Sequence, residues 1–128
     1  MVATRTLQIA GCKKKYSVCV SLVNDSYIKK LNKLYRSKNE PTDVLSFSAP
    51  KGVPSLKNFL GDIIISVQTA KKNAKQEGVS LKEEFVRLTV HGLLHLLGYN
   101  HEAGTKKNEV QRMMNLQEKV IHKIIMEL

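Results

Sequence analysis

Cysteine, acidic residues and long apolar runs are all scarce in this chain of 128 residues, and each shortage removes a class of protein. Its two cysteines, Cys12 and Cys19, lie in or beside a predicted strand; they are too few for a disulfide framework or a zinc knuckle, which favours a reducing, intracellular setting. The segment Met1 to Leu7 has no apolar core of a secretory signal, and nowhere do eighteen apolar residues run together, so the reading is a soluble, cytoplasmic protein with no membrane partner. Aspartate and glutamate number 11 against 21 lysines and arginines; the resulting net charge of +10 suits a polyanion bound through its phosphates, without saying which polyanion. No internal repeat, low-complexity tract or linker divides the chain, and its length suits one domain, residues 1–128, that buries a single core without staples.

Periodicity sets out the elements. Strands are expected at Thr6 to Ala10 and Tyr16 to Val23, the second with Val18, Val20 and Leu22 facing one way. Asn24 or Asp25 caps a helix to about Arg36 with an apolar stripe of Ile28, Leu31, Leu34 and Tyr35. A polar loop leads to a strand at Asp43 to Ser48, and a loop from Pro50 to Asn58 leads to another at Leu60 to Ser66. A basic helix spans Val67 to Glu77 and stops at Gly78, and Ser80 with Glu83 forms a capping box for a helix that ends at Gly98. Thr105 caps a last helix whose Val110, Met113, Met114, Gln117, Val120, Ile121, Ile124 and Ile125 recur at helical spacing, the methionines and isoleucines most simply as core. The fold class is therefore α+β, one mixed sheet of about four strands packed by about four helices.

Three of the four histidines fall between positions 91 and 101, in the run His91-Gly-Leu-Leu-His95-Leu-Leu-Gly98-Tyr-Asn-His101. Residues four apart share a helix face, so His91 and His95 can address one ion. Gly98 supplies the left-handed residue that ends a helix and turns the chain, which lets His101 close the site. Three imidazoles leave a tetrahedral Zn2+ one open position, the arrangement of catalytic sites, with one ion per chain at the C-terminal end of a central helix. Another divalent ion such as nickel suits the same ligands. The leucines Leu93, Leu94, Leu96 and Leu97 fill core around them.

The H-x3-H-x2-G-x2-H spacing also matches the ligands of metzincin proteases, but those need a glutamate after the first histidine as general base, and Gly92 stands there. More specifically, His91-Gly92-x-Leu94-His95-Leu96-x-Gly98-Tyr99-x-His101 resembles the signature of the YbeY family of bacterial rRNA maturation factors. Two further blocks resemble that family in the right order: Leu31-Asn32-x-x-Tyr35-Arg36 through Pro41-Thr42-Asp43-Val44-Leu45-Ser46-Phe47, and Leu60-Gly61-Asp62-Ile63 with Ser66. The resemblance implies a metal-dependent, single-strand-specific endoribonuclease that matures the 3′ end of 16S rRNA and serves ribosome quality control. Its partners would be single-stranded or precursor rRNA and the ribosome or ribosome-associated proteins.

Within that resemblance Arg36 is the expected catalytic residue, since its guanidinium can clamp a scissile phosphate bidentately as lysine cannot. The other basic clusters, such as Lys13 to Lys15 or Lys71, Lys72 and Lys75, read individually as solvated faces. No general base is evident; Asp43, Asp62 and Glu102 are candidates only because nothing in the sequence forbids them, and a metal-activated water or an RNA 2′-hydroxyl would lessen the need for one. Two features depart from the family pattern. Asn100 stands where an aspartate usually precedes the third histidine, and Gly11 to Lys15 is too short for the helix that commonly joins the first two strands. Two other functions fit the same residues: a zinc hydrolase acting on a peptide or small amide, and a non-catalytic ribosome-assembly factor braced by a structural metal.

Overall fold

The computed structural model describes residues 16–99 and 106–127. In chain order these form β1 (Ser17–Val23), α1 (Asp25–Arg36), β2 (Val44–Ser48), a short 3-10 turn (Pro54–Leu56), β3 (Phe59–Ser66), α2 (Val67–Glu77), α3 (Leu81–Leu96) and α4 (Lys107–Glu127). The sheet order is β1-β3-β2, with β1 parallel and β2 antiparallel to β3. Among the described residues this is the expected mixed α+β arrangement, with four helices and three strands. The strand expected at Thr6 to Ala10 and the cap expected at Thr105 lie outside the described residues.

Local chemistry explains the boundaries. Asn24 caps α1 by accepting a hydrogen bond from the Tyr27 N–H at 2.8 Å, and Ser80 caps α3 by accepting from the Glu83 N–H at 3.0 Å. Helix α2 ends at Gly78 in the left-handed region, φ +67. Asp25 then ties the starts of α1 and α2 together. Its carboxylate accepts from the Ser66 hydroxyl and, at 2.6 Å, from the Thr69 hydroxyl, while its N–H donates to Gln68 Oε1 at 2.8 Å. The Ser66 hydroxyl first, and Thr69 second, hold the Asp25 carboxyl below the ordinary carboxylate range.

Helix α3 is the centre of the molecule. On one side its Leu88 and Leu93 meet Ile63 and Ile65 of β3 and Ala70 of α2; on the other its Val86, Val90 and Leu94 meet Met113, Val120, Ile121 and Ile124 of α4. A helix buried on two sides reads as apolar nearly all round, which is why its leucines and valines do not form a narrow stripe. The helix packs chiefly over β2 and β3. Of the three β1 residues expected to face one way, Val18 joins the core, whereas Val20 and Leu22 are 42% and 58% exposed.

The expected α1 stripe needs correction. Ile28 is fully buried, but Leu34 and Tyr35 are 71% and 61% exposed, and Asn32 takes a core position at 3%. The reason is a hydrogen bond: Asn32 Nδ2 donates to the Glu40 carbonyl at 2.9 Å, so the inner face of the last turn binds the following loop in place of apolar core. No helix among the described residues is long and apolar enough to cross a membrane.

Two residues in this frame carry measurable consequences. Gly61 holds φ +141, and a Cβ there would stand 2.1 Å from the Phe47 carbonyl oxygen across the β2–β3 ladder. Gly61→Ala is expected to cost at least about 3 kcal/mol in urea unfolding, since both backbone strain and a backbone clash oppose it. Glu84 is 4% exposed, and burial raises its carboxyl above the ordinary value of 4.5; the Arg87 charge opposes that rise and Asp43 adds to it. Because the folded value is raised, this group favours the fold below pH 4.5 and loses that contribution as pH rises through the folded value. Glu84→Gln should therefore raise Tm at pH 7, on the order of 3 °C, with the difference from wild type closing in acid.

Candidate metal centre and cleft

Helix α3 presents His91 and His95 one turn apart, with ring centroids 4.7 Å from each other and planes inclined by 66°. Both are half-buried and border one cleft of about 630 Å³. Their direction is set by the residue between the pair and the sheet. Gly92 faces Ile63, and a Cβ at this position would lie 2.9 Å from Ile63 Cγ2. With Gly92 pressed on the strand, His91 and His95 fall on the flank that looks past β2 into the cleft. A glutamate at position 92 would have to displace Ile63, so packing as well as sequence disfavours the protease pattern.

The helix stops in a Schellman turn. Gly98 N–H donates to the His95 carbonyl and Tyr99 N–H to the Leu94 carbonyl, both at 3.0 Å, with Gly98 at φ +102. Tyr99 packs beside Leu94 in the α3–α4 core. The glycine thus performs the chain reversal expected of it. His101, the third expected ligand, lies outside the described residues, as do Asn100 and Glu102.

Arg36 reaches the same cleft from the other side. It is the last residue of α1, which ends in a left-handed Ser37 at φ 59. Its Nη2 donates to the Ser46 carbonyl at 3.0 Å, and its Cζ stands 5.6 Å from the centroid of the Phe47 ring, onto which Tyr35 packs edge-on at 5.2 Å. Ser46 belongs to the β2 residues whose backbone faces away from β3, because Asp43 and Ala49 make the inward ladder bonds to Ser66 and Leu60. Arg36 therefore closes the outer edge of β2. A second depression of about 220 Å³ shares Arg36, Ser46 and His95 with the first, so these three groups stand at the seam of the two.

The candidate bases separate. Asp43 accepts from the Val44 N–H at 2.8 Å and from Asn73 Nδ2 at 3.2 Å, which directs it to the start of β2 and to α2, and it does not border the cleft. Asp62 lies on the central strand between Cys19 and Phe47, also away from the cleft lining. Glu40, not singled out in the sequence, is the carboxylate that borders the cleft among the described residues, held there by the Asn32 bond to its carbonyl. Gln117, which recurs in the apolar stripe of α4, is buried, and its Oε1 lies 2.6 Å from His91 Nδ1. Asn32 and Gln117 share a signal that was available in the sequence, a polar residue at a core position of an apolar helical stripe.

A divalent ion suits this donor set. His91 and His95 bring imidazole nitrogens to one flank, and with Gln117 Oε1 beside His91 Nδ1 it is Nε2 of that ring that would hold an ion.

The model of one protein family, Endoribonuclease YbeY, matches residues 1–125. The chain belongs to that family. Relatives bearing the same name include those of Persephonella marina, 44% identical over 108 residues covering 84% of this chain and 69% of the relative, and Syntrophomonas wolfei, 37% identical over 134 residues covering 98% and 84%. The relative from Aquifex aeolicus is 45% identical over 105 residues, covering 82% of this chain and 68% of its own. Among solved structures, the solution structure of TM1509 from Thermotoga maritima aligns with a TM-score of 0.66 at 27% identity, covering 98% of this chain and 80% of that one. Family membership extends over the His91–His101 run and the Arg36 block together.

The Gly92 contact is testable by itself. Gly92→Ala should destabilise the protein by about 1 kcal/mol in urea unfolding. The clash with Ile63 costs about 2 kcal/mol, of which about 1 is offset by the helix propensity of alanine. Combining it with Ile63→Val should recover part of the loss.

Proposed function

We propose that this chain is a metal-dependent endoribonuclease that cleaves single-stranded or precursor rRNA during maturation of the 3′ end of 16S rRNA, working with the ribosome in the cytoplasm. The ion, Zn2+ at one per chain, is assigned to His91, His95 and His101, and the phosphate to Arg36. One observation carries this reading: a helix-borne histidine pair and an arginine from a distant helix border the same cleft. Membership in a family named for endoribonuclease activity supports it.

A divalent ion held by the three imidazoles supplies Lewis acidity toward an oxygen of the substrate or of water. The chain's own groups do the rest. Arg36 places a planar, permanently charged fork beside the histidines, suited to the charge that develops on phosphorus. Its swing is limited by the Ser46 carbonyl and the Phe47 ring, so less freedom is lost when a phosphate replaces them. Lys38 adds positive charge at the mouth, and Glu40 is the carboxylate nearest at hand to receive a proton. The nucleophile is either water or the 2′-hydroxyl of the RNA itself, and a cyclic phosphate on the product identifies the second route.

Peptide hydrolysis fits less well. A peptide substrate would add as a strand along the outer edge of β2, where Arg36 already occupies the Ser46 carbonyl.

Elemental analysis of the untagged protein, run beside ribonuclease assays on the same fractions, tests the proposal. About one divalent ion per chain is expected; His95→Ala should lose ion and cleavage together, whereas Arg36→Ala should keep the ion and lose about 100-fold in kcat. Undiminished cleavage by Arg36→Ala or by metal-free protein would overturn the reading. Untagged protein that purifies without the ion, and that binds RNA without cutting it even when a divalent ion is supplied, would identify an assembly factor.

A further inference from the structure

Among the buried residues of α4, Gln117 is the polar exception. It is 4% exposed and lies in a row with Met113, Val120, Ile121 and Ile124, where an apolar side chain of the same length would pack without needing a partner. Its partner is across the interface on α3: Gln117 Oε1 stands 2.6 Å from His91 Nδ1. A turn away, and on the outside, Arg87 of α3 meets Glu118 of α4 at 2.6 Å, with the two side chains 39% and 54% exposed. The surface pair is screened by water and explains little; the buried pair is the one that the packing would not have chosen for its own sake.

The chemistry of that bond is one-sided. With the amide oxygen facing the ring, Gln117 can only accept, so the hydrogen sits on His91 Nδ1. A neutral imidazole carries a single N–H, and its Nε2 then holds the lone pair that binds a cation. The same bond fixes the rotation of the ring about its own axis, because α4 is anchored to α3 by the Val86, Val90 and Leu94 contacts on the same interface.

We infer that Gln117 is a positioning residue for the metal centre, selecting the Nε2-ligating tautomer of His91 from the neighbouring helix. This rests on the assignment of His91 as a metal ligand. It also makes the C-terminal helix part of the site and not only of the core. Because the partner is an uncharged amide, it orients the ring without the added basicity that a carboxylate would lend.

The experiment compares wild type, Gln117→Met, Gln117→Glu and His91→Ala, with Zn2+ as the probe ion competed against a chelator. Long-range nitrogen–proton NMR of the metal-free protein reads the His91 tautomer. Wild type should show the proton on Nδ1. Gln117→Met, which keeps the length and the apolar packing, should keep or raise Tm, mix the two tautomers and bind Zn2+ about 10- to 100-fold more weakly. Gln117→Glu, which keeps an acceptor, should bind at least as tightly as wild type. A wild-type proton on Nε2 overturns the inference without any variant. So does a Gln117→Met protein that holds Zn2+ within twofold of wild type while His91→Ala has lost it, and in that case the metal assignment still stands. If His91→Ala binds as wild type does, the metal assignment fails and the inference with it.

Discussion

The contact between Gly92 and Ile63 sets the rest of the molecule. Helix α3 must lie on the central strand to bury Leu88 and Leu93, and at the residue next to His91 the two come too close for a Cβ to fit without moving Ile63. A helix held there has no freedom to roll: turning it by one residue would drive His91 into the sheet and expose Leu93. Tight core packing thus becomes angular precision at the histidines, and the fold supplies their orientation before any ligand arrives. Each further constraint, whether the Schellman turn at Gly98 or the α4 contacts on the opposite flank, secures the same helix from another side.

Much of this was legible in the residues themselves. The capping residues Asn24 and Ser80 and the stop at Gly78 each act through a single local hydrogen bond or a single positive φ, which is why a short stretch of sequence suffices to read them. The His91 and His95 pair is legible for the same reason, since helical spacing alone places them together. Family membership, shown by a match along residues 1–125, agrees with the resemblance carried by the three sequence blocks.

What could not be read depends on contacts distant in sequence. Nothing near Leu34 says that α1 runs beyond the cover of the sheet, leaving that leucine in water, or that Asn32 is drawn inward by a carbonyl eight residues on. Gln117 recurs at helical spacing among apolar residues, and its partner lies 26 positions away on another helix. Asp43 stayed open as a base until its two oxygens were seen to serve β2 and α2. In all three cases a polar group at a packed position marked a tertiary bond, and only its destination was missing.

The bond from Arg36 to the Ser46 carbonyl has a bearing on the life of the free protein. An outer strand with unpaired backbone groups is a template on which other chains can pair, and β2 is short, apolar at Val44, Leu45 and Phe47, and among the described residues has no strand beyond it. A guanidinium resting on its outward carbonyl, backed by the Phe47 ring, places a fixed positive charge where a second copy's strand would have to settle. The side chain proposed to meet a phosphate thus also stands where strand pairing along β2 would begin.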